Sequence, residues 1–233
     1  MTSIKYLIFD ADDTLWANNV LYERATHNFF QLLVKAGANP QTVEMDFLGI
    51  ESQTVKEHGY GSDSFLVIMD RMYQKYTGIF TAARQYKEYQ AIIADFKKRA
   101  WRRPAIFPGV ILVLKQLHKK YELYILTKGN IAEQNRKLQH SRLLPLFHGT
   151  FVELEKNQHT YERILQQKGW SAEEVCMIGN SPKSDINPAL RCGMQAVMIP
   201  YTYTWKFDTE PLLEGHLRLV IVRQFSELLQ LFK

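Results

Sequence analysis

The stretch Tyr6-Leu7-Ile8-Phe9-Asp10-Ala11-Asp12-Asp13-Thr14 decides the fold of this chain. Its first four residues form a continuous apolar run, which is typical of a strand buried on both faces in a parallel sheet. Three carboxylates then crowd one tight loop, and their mutual repulsion is costly unless a cation or substrate chemistry compensates. The loop therefore predicts a site for a hard, oxygen-seeking metal such as Mg²⁺. An acidic surface turn or a helix cap explains the same residues, and the stretch alone does not separate these interpretations.

Four later apolar runs have the length of a strand, and they lie at residues 123–126, 175–178, 196–199 and 219–222. Segments with helical spacing alternate with them, at residues 110–117, 131–138, 161–165 and 225–232. From Pro108 onward this alternation predicts βαβ units and an α/β fold with a Rossmann-like, doubly wound parallel sheet. The first strand, at residues 6–9, has to pair with that sheet although the region before Pro108 separates it in sequence from the other strands. Ligand sites in such sheets lie beyond the carboxyl ends of the strands.

The pattern changes between residues 17 and 106, where amphipathic stretches replace the strand-like runs. Breaks at residues 37–40, 59–62 and 77–81 divide this region into about four predicted helices. The helices are expected at residues 23–36, 41–58, 64–76 and 82–101. We therefore expect an α/β core domain from residues 1–16 and 107–233, with an all-helical domain inserted at residues 17–106.

The composition is that of an ordinary globular protein, with 46% hydrophobic and 23% charged side chains among 233 residues. No apolar run approaches the roughly 18 residues of a membrane helix, and the first residues do not resemble a secretory signal. We therefore expect a cytoplasmic protein with no membrane partner. The net charge of +5 is scattered along the chain, which argues against nucleic acid as a partner. Periodicity leaves the oligomeric state open between a monomer and a homodimer.

Four motifs in order along the chain resemble those of the haloacid dehalogenase-like hydrolase superfamily. They are Asp10-Ala11-Asp12-Asp13-Thr14 for the pattern DxDx(T/V), Thr127 at the end of the next core strand, Lys156, and Asp185 within Gly179-Asn180-Ser181-Pro182-Lys183-Ser184-Asp185. Many relatives carry a carboxylate where this chain has Asn180, so Asp185 is expected to be the only charged metal ligand of the fourth motif. The resemblance covers essentially the whole chain and puts the helical insert at the position of the superfamily's C1 cap.

The resemblance implies a phosphatase that hydrolyses a small phosphorylated metabolite through an aspartyl-phosphate intermediate. Asp10 would be the nucleophile, and Asp12 would act as acid and base toward the leaving alcohol and the attacking water. A Mg²⁺ cofactor would be held by the Asp10 carboxylate, the Asp12 backbone carbonyl and Asp185. The remaining implied roles are phosphate binding by Thr127, Lys128 and Lys156, with Thr127 and Lys156 also taking part in catalysis, and support of the site by Thr14, Asn180 and Ser181.

Asp12 also distinguishes between reactions within the superfamily. Dehalogenases displace a halide, need no acid for the leaving group and lack an aspartate at this place, so the resemblance disfavours a dehalogenase. A phosphomutase keeps both aspartates and stays an alternative, as does a non-catalytic protein of this fold that binds a phosphorylated ligand. The sequence lacks the motifs of dinucleotide-binding, P-loop, zinc-protease and serine-hydrolase sites.

Overall fold

The computed structural model describes residues 4–81, 83–203, 205 and 208–233. Some predicted positions lie outside the described residues, namely residues 1–3, 204, 206 and 207 of the core and Ala82 at the start of the fourth insert helix. The strands are β1 (Tyr6–Phe9), β2 (Trp16–Ala17), β3 (Ala105–Ile106), β4 (Glu122–Lys128), β5 (Gly149–Glu153), β6 (Val175–Gly179), β7 (Gln195–Met198) and β8 (Leu219–Ile221). Six of them form a parallel sheet in the order β5-β4-β1-β6-β7-β8. The predicted α/β fold with a Rossmann-like parallel sheet is confirmed.

The described helices are α1 (Asn19–Lys35), α2 (Pro40–His58), α3 (Ser62–Tyr76), α4 (Ala83–Ala100), α5 (Val110–Leu117), α6 (Ile131–Ser141), α7 (Gln158–Lys168), α8 (Asn187–Arg191) and α9 (Leu228–Leu231). The terminal helix α9 is a single turn, because the predicted segment begins with a 3₁₀ turn at Phe225–Glu227. Within the described ranges, no helix has both the length and the apolar character needed to cross a membrane.

Two compact units divide the chain, one from Met1–Asn19 with Arg103–Lys233 and the other from Val20–Arg102. The first unit contains the parallel sheet. It also contains the short pair β2 and β3, in which Trp16 lies opposite Ile106. This antiparallel pairing lies within the first unit, which the chain leaves after Asn19 and re-enters at Arg103.

Helices cover both faces of the parallel sheet, as the side chains of β1 show. Leu7 and Phe9 point to one face and belong to a cluster with α5, Leu138 of α6 and Leu228 of α9. Ile8 points to the opposite face and belongs to a cluster with α7 and α8. These three side chains are essentially inaccessible to solvent, which explains why residues 7–9 are all apolar instead of apolar at alternate positions.

The helical unit has a hydrophobic core of its own. The apolar stripe of α3 is buried in it, together with aromatic and aliphatic side chains of α1, α2 and α4. The stripe comprises Phe65, Ile68, Met69 and Met72, and their spacing follows the helical period. The unit therefore buries enough apolar surface to hold its helices together.

Because all six strands of the large sheet run parallel, their carboxyl ends share one edge. Asp10 directly follows β1, Thr127 is the penultimate residue of β4, and Asn180 directly follows β6. This edge gathers the polar motifs that lie far apart in the sequence.

Candidate active site

The ammonium group of Lys156 joins Asp10 to Asp185 at the carboxyl edge of the sheet. Lys156 Nζ donates to Asp10 Oδ1 at 2.5 Å, to Asp185 Oδ1, and to the backbone carbonyl of Leu126 at 3.3 Å. All three charged side chains are buried. The structure thus brings together the residues predicted to be the nucleophile, the third-motif lysine and the fourth-motif carboxylate.

Local backbone structure after β6 holds Asp185 in place. The Ser181 side chain caps the following turn by accepting from the Ser184 amide at 3.0 Å, and the Ser181 amide donates to Asp185 Oδ2 at 2.9 Å. Any Cβ atom at Gly179 would collide with the Asp185 carboxylate. Glycine at the end of β6 is therefore required for the carboxylate to lie against the backbone.

The charges of this cluster shift the pKa values of Asp10 and Lys156. Burial and the neighbouring charge of Asp185 raise the pKa of Asp10, and Lys156 opposes that rise. Burial alone would lower the pKa of Lys156, but Asp10 and Asp185 outweigh it and raise this pKa. Lys156 therefore stays an ammonium, and two buried carboxylates share one positive charge.

Asp10 and Asp185 fit a divalent cation by the chemistry of their oxygens and by their spacing, since both reach the same ammonium. Among the residues that the structure describes, no three His, Cys, Asp or Glu side chains gather in a group able to hold a metal. The predicted set needs only two side-chain carboxylates, because Asp12 would contribute its backbone carbonyl. The donor set is compatible with Mg²⁺, and this ligand set stays a prediction.

The carboxylate of Asp12 has a different set of partners. Its Oδ1 accepts from Trp16 Nε1 at 2.6 Å, and its Oδ2 accepts from Gln134 Nε2 at 2.9 Å and from Lys137 Nζ at 2.8 Å. Burial opposes ionisation, but Lys137, Gln134 and Trp16 outweigh it and lower the pKa of Asp12. Two residues after Asp10, the chain thus places a carboxylate that is stabilised as an anion by three donors.

Gln134 and Lys137 were missed by sequence reasoning. The apolar pattern at residues 131–138 suggests that Ile131 and Leu138 share the buried face of α6, yet Ile131 is 52% exposed while Gln134 and Lys137 are buried. Spacing gave no separate signal, because Gln134 lies three residues from Ile131 and four from Leu138 and so belongs to the same helical stripe as both. Trp16, two residues after Thr14, combines burial with a hydrogen bond that its indole donates to Asp12.

Thr127 and Lys128 lie at the end of β4, and their side chains contact different partners. The buried Thr127 hydroxyl donates to Gln134 Oε1 at 3.3 Å. Lys128 Nζ instead forms an ion pair with Asp208 at 2.6 Å and donates to Ser184 Oγ at 3.0 Å. Burial opposes ionisation of Asp208, but Lys128 outweighs it and lowers the pKa of Asp208. The predicted phosphate contacts of both residues stay predictions, and Asp208 is a further neighbour that the motifs did not indicate.

Other members of the predicted site support the first loop. Thr14 Oγ1 donates to Asn180 Oδ1 at 3.3 Å, so Asn180 holds the loop after β1. Asp13 has a positive φ of 64° and is buried. Its carboxylate accepts from the amides of Asn18 and Asn19, while burial raises its pKa to about 8. The helix-cap explanation therefore applies to Asp13, the third carboxylate of the loop, which caps the start of α1.

Curated relatives cover most of this chain. It is 28% identical over 204 residues to glyceraldehyde 3-phosphate phosphatase of Methanopyrus kandleri, a match that covers 84% of each protein. It is 26% identical over 208 residues to pyrimidine 5′-nucleotidase PynA of Streptococcus pneumoniae, a match that covers 83% of this chain and 82% of that protein.

A solved structure and a family model also match most of this chain. The crystal structure of a haloacid dehalogenase-like family hydrolase from Xanthomonas campestris matches with a TM-score of 0.77 and 28% identity, covering 97% of this chain and 88% of the other. The model of the haloacid dehalogenase-like hydrolase family matches residues 4–193, a range that includes all four motifs. The chain is therefore a hydrolase that belongs to the haloacid dehalogenase-like family.

Proposed function

We propose that this hydrolase is a Mg²⁺-dependent phosphatase that acts on a small phosphorylated metabolite through an aspartyl-phosphate on Asp10. The observation that carries the proposal is the convergence of Asp10 and Asp185 on the Lys156 ammonium at the carboxyl edge of the sheet. Both curated relatives described above are named for the hydrolysis of a small phosphate monoester, which supports the proposed substrate class.

In the first half-reaction, a carboxylate oxygen of Asp10 forms a bond to phosphorus as the bond from phosphorus to the leaving oxygen breaks. Asp12 has to carry a proton when substrate is bound, although its partners in the structure favour the anion. It gives that proton to the leaving oxygen, and the alcohol departs. Lys156 holds Asp10 by its hydrogen bond and offsets negative charge beside the phosphoryl group. When substrate is bound, the Thr127 hydroxyl would give up its hydrogen bond to Gln134 Oε1 and donate to a phosphoryl oxygen instead.

In the second half-reaction, water attacks phosphorus while Asp12 takes a proton from it. The bond between phosphorus and Asp10 breaks, so inorganic phosphate leaves and Asp10 returns to its carboxylate form. Two displacements replace one difficult step, and Asp12 regains the proton that it gave away. The cycle therefore consumes one water and needs no other co-reactant.

Asp10, Asp185 and the Asp12 backbone carbonyl would hold Mg²⁺. When bound, the ion supplies positive charge that reduces repulsion between the Asp10 carboxylate and the phosphoryl group. Lys156 is the protein's own positive charge beside Asp10 and Asp185, with which it forms two ion pairs.

The test measures phosphate release by the full chain, with Mg²⁺ and with a chelator, from an aryl phosphate, glyceraldehyde 3-phosphate and a pyrimidine 5′-nucleotide. Asp10→Asn removes the nucleophile, and Asp13→Asn is the matched control, because an asparagine oxygen still accepts from the amides that Asp13 caps. We expect metal-dependent turnover in the wild type and in Asp13→Asn and none in Asp10→Asn.

Turnover that survives in a folded Asp10→Asn protein would overturn the proposed nucleophile, and turnover that survives the chelator would overturn the metal requirement. Two further outcomes would replace the proposal. Return of the phosphoryl group to a second hydroxyl of the substrate would identify a phosphomutase. Binding of phosphorylated compounds without any phosphorylated Asp10 would identify a non-catalytic binding protein.

A further inference from the structure

The buried face of α6 meets the Asp12 carboxylate with two polar side chains. Gln134 and Lys137 lie one helical turn apart, and both donate to the same oxygen, Asp12 Oδ2. The remaining oxygen, Oδ1, accepts from Trp16. Both carboxylate oxygens are thus engaged by donors, which restricts rotation of the Asp12 side chain.

Gln134 also connects Asp12 to the end of β4. Its Nε2 donates to the backbone carbonyl of Lys128 at 3.2 Å, and its Oε1 accepts from the Thr127 hydroxyl at 3.3 Å. The neighbouring Gly129 has a φ of 143°, and a Cβ atom there would lie 2.9 Å from Gln134 Nε2. The loop after β4 is therefore shaped around the Gln134 amide, which bridges the Thr127 hydroxyl and the Asp12 carboxylate.

Lys137 is held by polar partners on several sides although it lies inside the protein. Its Nζ donates to Asn18 Oδ1 at 2.8 Å, in addition to Asp12, and forms an ion pair with Glu133 at 3.3 Å. Burying an ammonium is costly unless hydrogen bonds and opposite charge compensate, and these contacts supply both. The lysine is part of a connected network with Asp12, in contrast to an exposed lysine whose head group is free to move in water.

We propose that Gln134 and Lys137 are positioning residues that hold the Asp12 carboxylate in the orientation from which it transfers protons. The inference rests on the proposed function, because it assigns Asp12 the acid and base steps. Proton transfer requires the donor within hydrogen-bond reach of the reacting oxygen, and small displacements of a catalytic group are expensive. Gln134 ties Asp12 to the end of β4 through the Lys128 carbonyl, so the proton donor keeps its place relative to the strand end that carries Thr127.

The test compares two substrates that differ in their need for an acid. An alkyl phosphate releases a basic alkoxide that requires a proton, whereas 2,4-dinitrophenyl phosphate releases a stable phenolate that does not. Since kcat/KM reports only the steps through departure of the leaving group, it isolates the acid role of Asp12 from its later role as base. The variants are Gln134→Met and Lys137→Met, with Lys137→Arg as the conservative replacement and the exposed Lys115→Met on α5 as the matched control.

We expect Gln134→Met and Lys137→Met to lower kcat/KM for the alkyl phosphate by about 10- to 100-fold, a partial loss of the roughly 10²- to 10⁴-fold supplied by general acid catalysis. The loss for the dinitrophenyl ester should be at least about tenfold smaller, because its leaving group needs no proton. Lys137→Arg should recover part of the alkyl phosphate activity, and Lys115→Met should match the wild type with both esters.

Equal losses with both esters in folded variants would overturn the inference, because a general disturbance of the site does not distinguish leaving groups. Faster alkyl phosphate turnover would also overturn it and show that these contacts restrain Asp12 in an unreactive position. Failure of the proposed function has a separate signature, since the wild type itself would then hydrolyse neither ester.

Discussion

Asp10 and Asp12, the first two aspartates of the loop after β1, lie on two sides of this loop that differ in their charged and polar neighbours. On one side Asp10 shares Lys156 with a second buried carboxylate, and its pKa is raised by burial and by Asp185. On the other side Asp12 accepts from three side chains, and its pKa is lowered despite burial. The pKa values of these two aspartates thus shift in opposite directions. Asp10 shares a single ammonium with Asp185, whereas Asp12 has three hydrogen-bond donors of its own.

This difference matches two chemical roles. A pair of carboxylates that shares one positive charge benefits from a further cation, as expected of a nucleophile beside a metal. A carboxylate held by a network of donors has a fixed orientation, as expected of a group that transfers protons at a defined place. The predictions below test whether the two sides differ in function and in stability, beginning with the largest expected effect.

Asp12→Asn should impair proton transfer to the leaving group and leave the phosphorylation of Asp10 intact. We expect kcat/KM for an alkyl phosphate to fall by about 10²- to 10⁴-fold, the range for loss of general acid–base catalysis. Asp10 should still accept a phosphoryl group from 2,4-dinitrophenyl phosphate, whose leaving group needs no acid. Mass spectrometry after a rapid acid quench measures the phosphorylated protein, with Asp10→Asn as the control that cannot form it. Absence of the adduct from folded Asp12→Asn would contradict the division of roles.

Lys156→Met should cause the largest loss of stability. It leaves Asp10 and Asp185 buried together without their shared ammonium, and breaking a buried charge pair costs about 3–5 kcal/mol. Urea denaturation of the variant and of the exposed-site control Lys115→Met measures the change in the free energy of unfolding. A loss below about 1 kcal/mol would show that the two carboxylates do not depend on Lys156, since that is the range of exposed ion pairs.

Lys137→Met should cost less, about 1–3 kcal/mol, the range for losing a hydrogen bond to a charged group. Asp12 would keep the donors Gln134 and Trp16, and its side chain is 19% exposed, so water reaches part of the carboxylate. The same urea experiment gives the comparison with Lys156→Met. If both variants lost equal stability, the two sides would not differ in how they compensate buried charge.

The ion pair between Lys128 and Asp208 gives the smallest expected effect and a reference for the other two lysines. Asp208→Asn should lower the free energy of unfolding by about 1–2 kcal/mol at pH 7. The folded-state pKa of Asp208 is lowered, so its stabilisation is present above the unfolded value of about 3.9 and is lost as pH falls through the folded pKa. Denaturation at several pH values should therefore show the wild type and the variant converging below about pH 4. A gap that widens in acid would contradict this pair as the source of the stability.

The residues of three of the four motifs could be found from the sequence because each lies near the carboxyl end of an apolar run. A parallel sheet brings those ends to one edge, so the sequence predicts that Asp10, Thr127 and Asp185 lie near one another. The third motif, Lys156, could be identified only together with the other three motifs. Lys156 by itself resembles any surface lysine, and only its place in the order of motifs singled it out.

The face of α6 was not predictable in the same way. Apolar residues mark the buried face of most helices, but here Ile131 is exposed while Gln134 and Lys137 are buried. Their burial depends on Asp12, more than 120 residues earlier in the chain. A helix viewed alone offers no indication that a carboxylate from another strand compensates these polar groups.

By itself the sequence determined the α/β fold, the parallel sheet and the order of the four motifs, because apolar runs and the polar residues that follow them are local patterns. Tertiary structure alone decided which lysine serves which carboxylate. Lys156 reaches Asp10 and Asp185, Lys137 reaches Asp12, and Lys128 reaches Asp208. These pairings join segments that are distant in sequence, and the energies of buried charges depend on the three-dimensional positions of all their neighbours.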